Sequence, residues 1–121
     1  MKVLIIDDEQ AILKMYAVPF EAAGDEVITA IDGQTGLQFA KDQAPNVILL
    51  DIIMPRVNGL DVLKKLKEDT STQKIPVILL TNLPEECSED KAKELGAIGY
   101  LVKAQNEPAV VAEKVKKLLA T

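Results

Sequence analysis

Two hydrophobic periods alternate along the chain. Short aliphatic runs stand at Val3–Ile6, Val27–Ile31, Val47–Leu50, Val77–Leu80 and Ile98–Val102. Three of them, Val-Leu-Ile-Ile and two copies of Val-Ile-Leu-Leu, are apolar at every position. A strand with one wet face would alternate, so these runs predict strands covered on both sides. Between them lie segments with helical spacing, at 10–23, 33–43, 59–68, 85–95 and 107–119. In the last, Val111, Val115, Leu118 and Leu119 share one stripe, with Lys114, Lys116 and Lys117 outside it. Asn106 is placed to cap that helix, and Pro108 falls in its first turn. Gly24 and Gly96 follow the first and fourth helical segments, where a left-handed residue can stop a helix. Pro19 resists the pattern. It removes a backbone hydrogen bond and crowds the carbonyl of Met15, so a kink is expected there, or a helix ending near Val18 and restarting.

Five βα units in strict alternation predict an α/β fold, a doubly wound five-stranded parallel sheet with right-handed crossovers. The common order for five such strands is 2-1-3-4-5, the flavodoxin-like three-layer arrangement, with a crevice between strands one and three. No linker, repeat or low-complexity stretch interrupts it, and 121 residues is about one domain. Residues 1–121 therefore read as a single module.

Composition narrows the function by exclusion. The net charge of −5 argues against a nucleic-acid surface, which needs a basic stripe. The absence of His removes His-based general base catalysis, most zinc chemistry and any role as a phosphohistidine donor. The single cysteine, Cys87, cannot form an internal disulfide and reads as incidental rather than as a redox sensor. No apolar stretch approaches the ~20 residues of a membrane span, and the run after Lys2 stops at Asp7, unlike a signal peptide. A cytoplasmic protein without membrane contact is expected. Lys64, Lys65 and Lys67 read as a solvated helix face.

In doubly wound folds the ligand site lies at the carboxyl ends of the strands. Strand one ends in Asp7-Asp8-Glu9, strand three in Asp51, strand four in Thr81 and strand five in Lys103. Any one of these marks only a strand reaching solvent. All of them at one end of one sheet mark a site. Two carboxylates ~4 Å apart repel by about 4 kcal/mol at an effective dielectric of about 20, so crowding Asp7, Asp8 and Asp51 calls for something to bind. All-oxygen donors suit a hard divalent cation, and two or three carboxylates that keep waters suit Mg²⁺ better than Ca²⁺. Lys103 and Thr81 then stand ready for phosphoryl oxygens, and positioning with charge neutralisation is most of what phosphoryl transfer asks of a protein. Asp can itself be the nucleophile, giving an aspartyl phosphate.

The chain resembles the receiver domain of bacterial response regulators over its whole length. The matching stretches are Val3-Leu4-Ile5-Ile6-Asp7-Asp8-Glu9, Asp51-Ile52-Ile53-Met54-Pro55 with Gly59, Val77-Ile78-Leu79-Leu80-Thr81, and Gly99-Tyr100-Leu101-Val102-Lys103. A chemotaxis receiver is a type example of the 2-1-3-4-5 order, so that order is not independent of the resemblance. The resemblance implies a phospho-accepting switch of a two-component phosphorelay, not an enzyme acting on an outside substrate, that promotes its own phosphorylation and dephosphorylation. Asp51 would accept the phosphoryl group from a sensor kinase phosphohistidine. Asp8, Asp51 and the Ile53 carbonyl would hold Mg²⁺, with Asp7 acting largely through a metal-bound water. Lys103 would contact the phosphoryl group and Asp51, and Thr81 would swing toward the phosphoryl group after transfer. Tyr100 would turn into the space Thr81 leaves, changing the face of helix four, strand five and helix five. From the residues alone, Tyr100 is a half-buried amphipathic ring on a strand. Glu9 either joins the acidic pocket or favours the start of helix one through the dipole. The implied partners are a sensor histidine kinase or phosphotransfer protein, a downstream target and, on phosphorylation, a second copy of the chain.

Two departures stand out. Ala104 follows Lys103 where the family usually has Pro, often cis, and a non-proline cis bond costs ~2.5–4 kcal/mol, so a trans or unusually strained loop is expected. Asn82 stands where Ala or Gly is usual. In receivers the side chains two places after the phosphoacceptor and two places after the switch hydroxyl flank the approach of a hydrolytic water. The resemblance puts Ile53 and Leu83 there, neither able to hydrogen-bond it, so slow self-dephosphorylation is expected, although the Asn82 amide could oppose this. A receiver-like module that binds partners without phosphorylation is the alternative reading. A haloacid-dehalogenase-type phosphatase would end strand one in Asp-x-Asp, which Asp7-Asp8-Glu9 is not. A flavodoxin would need a phosphate loop that Glu9-Gln10-Ala11 does not supply.

Overall fold

The structure is a computed structural model that describes residues 1–54, 57–82 and 89–120. Pro55, Leu83 and Cys87 lie outside the described residues. The elements are β1 (Lys2–Ile6), α1 (Gln10–Ala22), β2 (Glu26–Ala30), α2 (Gly33–Gln43), β3 (Val47–Asp51), β4 (Ile53–Met54), β5 (Val57–Asn58), α3 (Gly59–Glu68), β6 (Val77–Thr81), α4 (Glu89–Glu94), β7 (Gly99–Val102), a 3₁₀ turn (Lys103–Gln105) and α5 (Pro108–Ala120). The five long strands form one parallel sheet in the order β2-β1-β3-β6-β7, which is the expected 2-1-3-4-5 order.

Both faces of the sheet are covered, which explains the unbroken apolar runs. Val3, Ile5, Val47, Leu49, Ile78 and Leu80 pack with Leu13, Tyr16, Phe20, Val111 and Val115 of α1 and α5. Their neighbours Leu4, Ile6, Ile48, Leu50, Val77 and Leu79 pack with Val62, Leu63, Leu66 and Ala92 of α3 and α4. Each fully buried Leu or Ile contributes roughly 1.5–3 kcal/mol.

Several expectations need correction. α1 neither ends near Val18 nor restarts; it runs through Pro19 to Ala22. The proline costs the helix about 3 kcal/mol, but Leu13, Tyr16, Ala17 and Phe20 are all buried, and Phe20 beyond the proline is fully so. Packing holds the last turn. Lys67 is not simply solvated, because its Nζ donates to the carbonyls of Gln73 at 3.1 Å and Ile75 at 2.8 Å, and burial lowers its pKa. The short antiparallel hairpin of β4 and β5 was not expected. Gly24 and Gly96 have φ of +88° and +101°, as the helix-stop reading requires.

Asp25 staples the start of the chain to α5. Its Oδ1 accepts from the Met1 amino group at 3.1 Å and its Oδ2 lies 2.9 Å from Lys116 Nζ. The Lys116 hydrogen bond holds the Asp25 carboxyl below the usual carboxylate range against the effect of burial, and the terminal ammonium helps. A carboxyl more acidic folded than unfolded contributes stability above its unfolded pKa and loses it as pH falls through the folded value. Asp25→Asn is therefore expected to lower the thermal midpoint at about pH 7 and to converge with the parent near pH 2. Melts across that range check this, and an unchanged gap in acid would contradict it.

Candidate functional site

Strand register alone gathers the residues. Ile6 is paired with Leu50, so Asp7 and Asp51 leave adjacent strands side by side. Asp51 is opposite Leu80 and Thr81 is opposite Val102, so Thr81 and Lys103 emerge at the same edge. Neighbouring strands lie about 4.8 Å apart, which leaves these groups little choice but to interact.

Asp7, Asp51 and Thr81 are buried, and Asp8 is the most open of the three aspartates. One oxygen from each of Asp7, Asp8 and Asp51 lies within 4.8 Å of the others. Lys103 Nζ reaches Asp7 Oδ2 at 2.5 Å and Asp51 Oδ2 at 3.6 Å, so its first partner here is Asp7. The other oxygens take backbone donors: Asp7 Oδ1 accepts from the Glu9 N–H at 3.0 Å and Asp51 Oδ1 from the Ile53 N–H at 3.3 Å. Glu9 itself is exposed at the N-cap of α1 and stands outside the acidic group.

Burial pushes the Asp51 carboxyl up to about 6; Lys103 opposes that rise, Asp7 adds to it, the Ile53 N–H opposes it and Asp8 adds again. Burial would lower the Lys103 ammonium, but its hydrogen bond to Asp7 and the charges of Asp51 and Asp7 raise it. Three carboxylates thus face one cation. The donors are all oxygen and lie within 4.8 Å of one another, so the set fits a hard divalent cation such as Mg²⁺ that keeps some of its waters.

The loop that follows Asp51 is shaped by Gly59. Its N–H donates to the Ile52 carbonyl at 2.7 Å, and a Cβ there would overlap the Asp51 carbonyl oxygen and Ile52 Cα. Asn58 Oδ1 accepts from the Leu60 N–H at 2.8 Å and starts α3 against this loop. Ile53 is left 41% exposed next to Asp51.

Asn106 does not make the expected cap. Its Nδ2 donates to the Val102 carbonyl at 2.8 Å, and its Oδ1 accepts from Lys114 Nζ at 2.6 Å. The side chain therefore ties the end of β7 to α5 around Lys103. No peptide bond among the described residues is cis, so Lys103–Ala104 is trans, and the Asn106 brace holds a loop from which the usual proline is missing. The sequence did not single out Tyr16. It lines a cavity of about 430 Å³ with Lys103 and Asn106. Burial raises its phenol pKa, with Lys103 opposing and Asp7 adding. Tyr100 is half-buried with its hydroxyl shielded from solvent, and its ring packs with the core on the α3 and α4 side.

Breaking a buried pair leaves an uncompensated charge and costs roughly 3–5 kcal/mol. Lys103→Met is expected to lower the metal-free thermal midpoint, and millimolar Mg²⁺ to recover more of it in the variant than it adds to the parent. Equal metal-free midpoints would show that Lys103 does not balance the acidic cluster.

A sequence profile described as "Response regulator receiver domain" matches residues 3–115. The alkaline phosphatase synthesis transcriptional regulatory protein PhoP of Bacillus subtilis is 36% identical over 120 residues, 98% of this chain and 48% of that protein. The chain thus spans about half the length of that relative. Protein PilH of Pseudomonas aeruginosa is 33% identical over 110 residues, 91% of each chain. Among solved structures, the chemotaxis response regulator CheY4 of Vibrio cholerae superposes with a TM-score of 0.85 at 31% identity, covering 97% of each chain. A CheY-like receiver domain protein from Methanospirillum hungatei does so at 0.85 and 28%, covering 98% of this chain and 93% of its own. Profile, relatives and fold agree with the acidic corner at the sheet's carboxyl edge: this chain belongs to the response regulator receiver domain family.

Proposed function

We propose that the chain is a phosphorylation-operated switch in which Asp51 takes a phosphoryl group from a phosphohistidine. The observation that carries this reading is a buried carboxylate, Asp51, set between a cation and two further carboxylates. In the transfer an Asp51 oxygen forms the new bond to phosphorus as the imidazole nitrogen–phosphorus bond breaks. Asp8, Asp51 and the Ile53 carbonyl would hold Mg²⁺, with Asp7 behind them through a water. Bound there, the metal supplies charge neutralisation for the phosphoryl oxygens.

The chain's own groups do the remainder. Lys103 stands 3.6 Å from Asp51 Oδ2 and supplies a positive charge where the phosphoryl oxygens gain negative charge. Thr81, one strand over, is the hydroxyl donor to a phosphoryl oxygen. Its movement toward that oxygen vacates space beside β7, and Tyr100 is the ring that fills it. The readout is a shift between two packings of α4, β7 and α5 rather than a newly built surface. The partners are a sensor histidine kinase or phosphotransfer protein and a downstream target, a second phosphorylated copy being one form of it. No helix among the described residues is long and apolar enough to cross a membrane, and we place the switch in the cytoplasm with its partners.

Incubation with Mg²⁺ and acetyl phosphate is expected to add one phosphoryl mass, labile to hydroxylamine as an acyl phosphate must be. Ile53 offers an attacking water no hydrogen bond, so the label is expected to decay over about ten minutes or longer rather than seconds. Asp51→Asn, nearly isosteric, is expected to abolish the label with the fold intact. Mass spectrometry decides. A label that persists in that variant would move the acceptor elsewhere, and a parent that never takes label would leave the chain a receiver-like module that binds without phosphorylation.

A further inference from the structure

Lys103 reaches two buried carboxylates from a turn in which Ala104 leaves φ free where a proline would fix it. One residue, Asn106, hydrogen-bonds to both peptide groups that flank Lys103. Its Nδ2 donates to the Val102 carbonyl at 2.8 Å, and its backbone N–H donates to the Lys103 carbonyl at 3.2 Å. Those carbonyls belong to the peptide planes on either side of the Lys103 Cα. Fixing both planes fixes the two soft dihedrals between them, and with them the direction in which the side chain leaves the backbone. Asn106 is itself buried, so water does not compete for these contacts.

The amide must be oriented before it can do this. Turned over, it would set its oxygen against the Val102 carbonyl, acceptor to acceptor. Lys114, in the second turn of α5, prevents that by donating from Nζ to Asn106 Oδ1 at 2.6 Å. An ammonium can only donate, so it fixes which end of the amide is oxygen. Lys114 is in no ion pair among the described residues, and its charge is committed here to a neutral amide. Such charge-assisted bonds are roughly twice as strong as neutral ones. The brace runs from α5 through one amide to the backbone of Lys103.

We infer that Asn106, oriented by Lys114, is a positioning residue for Lys103: it holds the ammonium at Asp7 and Asp51 and thereby sets the rate of phosphoryl transfer without touching the reacting atoms. The effect on rate rests on the phosphoryl-transfer reading of Asp51; the placement of Lys103 does not. A four-carbon stem magnifies any tilt of its backbone at the ammonium. A misplacement of ~1 Å at a reacting centre can cost about a hundredfold in rate.

Two readouts on the full chain test this. The first needs no phosphoryl group: in chain grown on ¹³C-labelled lysine, a held Lys103 shows separate signals for its two ε protons, and a freed one averages them. Asn106→Ala and Lys114→Met are each expected to merge those signals. The second is the rate of Asp51 labelling across acetyl phosphate concentrations. Both variants are expected to lose about tenfold to a hundredfold in maximal rate, with KM little changed. Lys114 is exposed, so Lys114→Met keeps the fold even where Asn106→Ala does not. Lys114→Arg retains a donor and is expected to regain most of what Lys114→Met loses. Lys117→Met removes the same charge from the same helix away from Asn106, and is expected to leave both readouts as in the parent. A parent that takes no label contradicts the phosphoryl-transfer reading, and the Lys103 signals then decide the brace alone. Separate Lys103 signals in Lys114→Met overturn the proposal, as does an equal loss in Lys117→Met. So does a maximal rate that survives the merging of the signals, which would show that the placement of the ammonium does not set it.

Discussion

Two carboxylates, Asp7 and Asp51, are held below the surface at the ends of neighbouring parallel strands, and a third, Asp8, stands close enough to share an ion with them. Water is largely excluded, so their mutual repulsion is felt at an effective dielectric well below that of bulk solvent. Lys103 is the one cation ion-paired to them among the described residues, and it spans both buried groups unequally, close to Asp7 and farther from Asp51. Much of the local architecture serves this arrangement. The Glu9 and Ile53 N–H groups take the remaining carboxylate oxygens, Gly59 lets the start of α3 approach the Asp51 and Ile52 backbone, and Asn106 braces the turn that carries Lys103. A site so arranged has more negative charge than its one lysine balances, which a bound cation would relieve.

Much of this was legible in the sequence. The runs Val3–Ile6, Val47–Leu50 and Val77–Leu80 announce strands buried on both faces because only helices on each side can account for them. The strand order brings Asp7, Asp51, Thr81 and Lys103 to one corner as soon as each is recognised as the residue that ends its strand. What was not legible depends on contacts between residues far apart in the chain. Pro19 signals a break locally, but the burial of Phe20 beyond it outweighs one lost hydrogen bond. Asn106 has the chemistry of a cap, yet Val102 and Lys114 together offer it both a donor and an acceptor. Lys67 sits in a charged run, and only the fold shows that its ammonium closes the carbonyls of Gln73 and Ile75. The β4–β5 hairpin is two residues to a strand, shorter than any period can reveal.

The separation of surfaces follows from the same topology. The acidic corner occupies the carboxyl edge of the sheet, Tyr100 and the flanking α4 and α5 form one lateral face, and α1 leaves Met15 and Val18 exposed on another.

The central claim is that Lys103 serves as an internal counter-cation, held by Asp7 while Asp51 is free and drawn to Asp51 once Mg²⁺ and a phosphoryl group are present. A crystal structure with Mg²⁺ and beryllofluoride, which mimics an acyl phosphate, tests it most directly. The account predicts an ion touching Asp8, Asp51 and the Ile53 carbonyl, with Lys103 moved off Asp7 and onto the beryllofluoride bound to Asp51. An ion bound elsewhere, or Lys103 still paired with Asp7 beside a loaded Asp51, would contradict it.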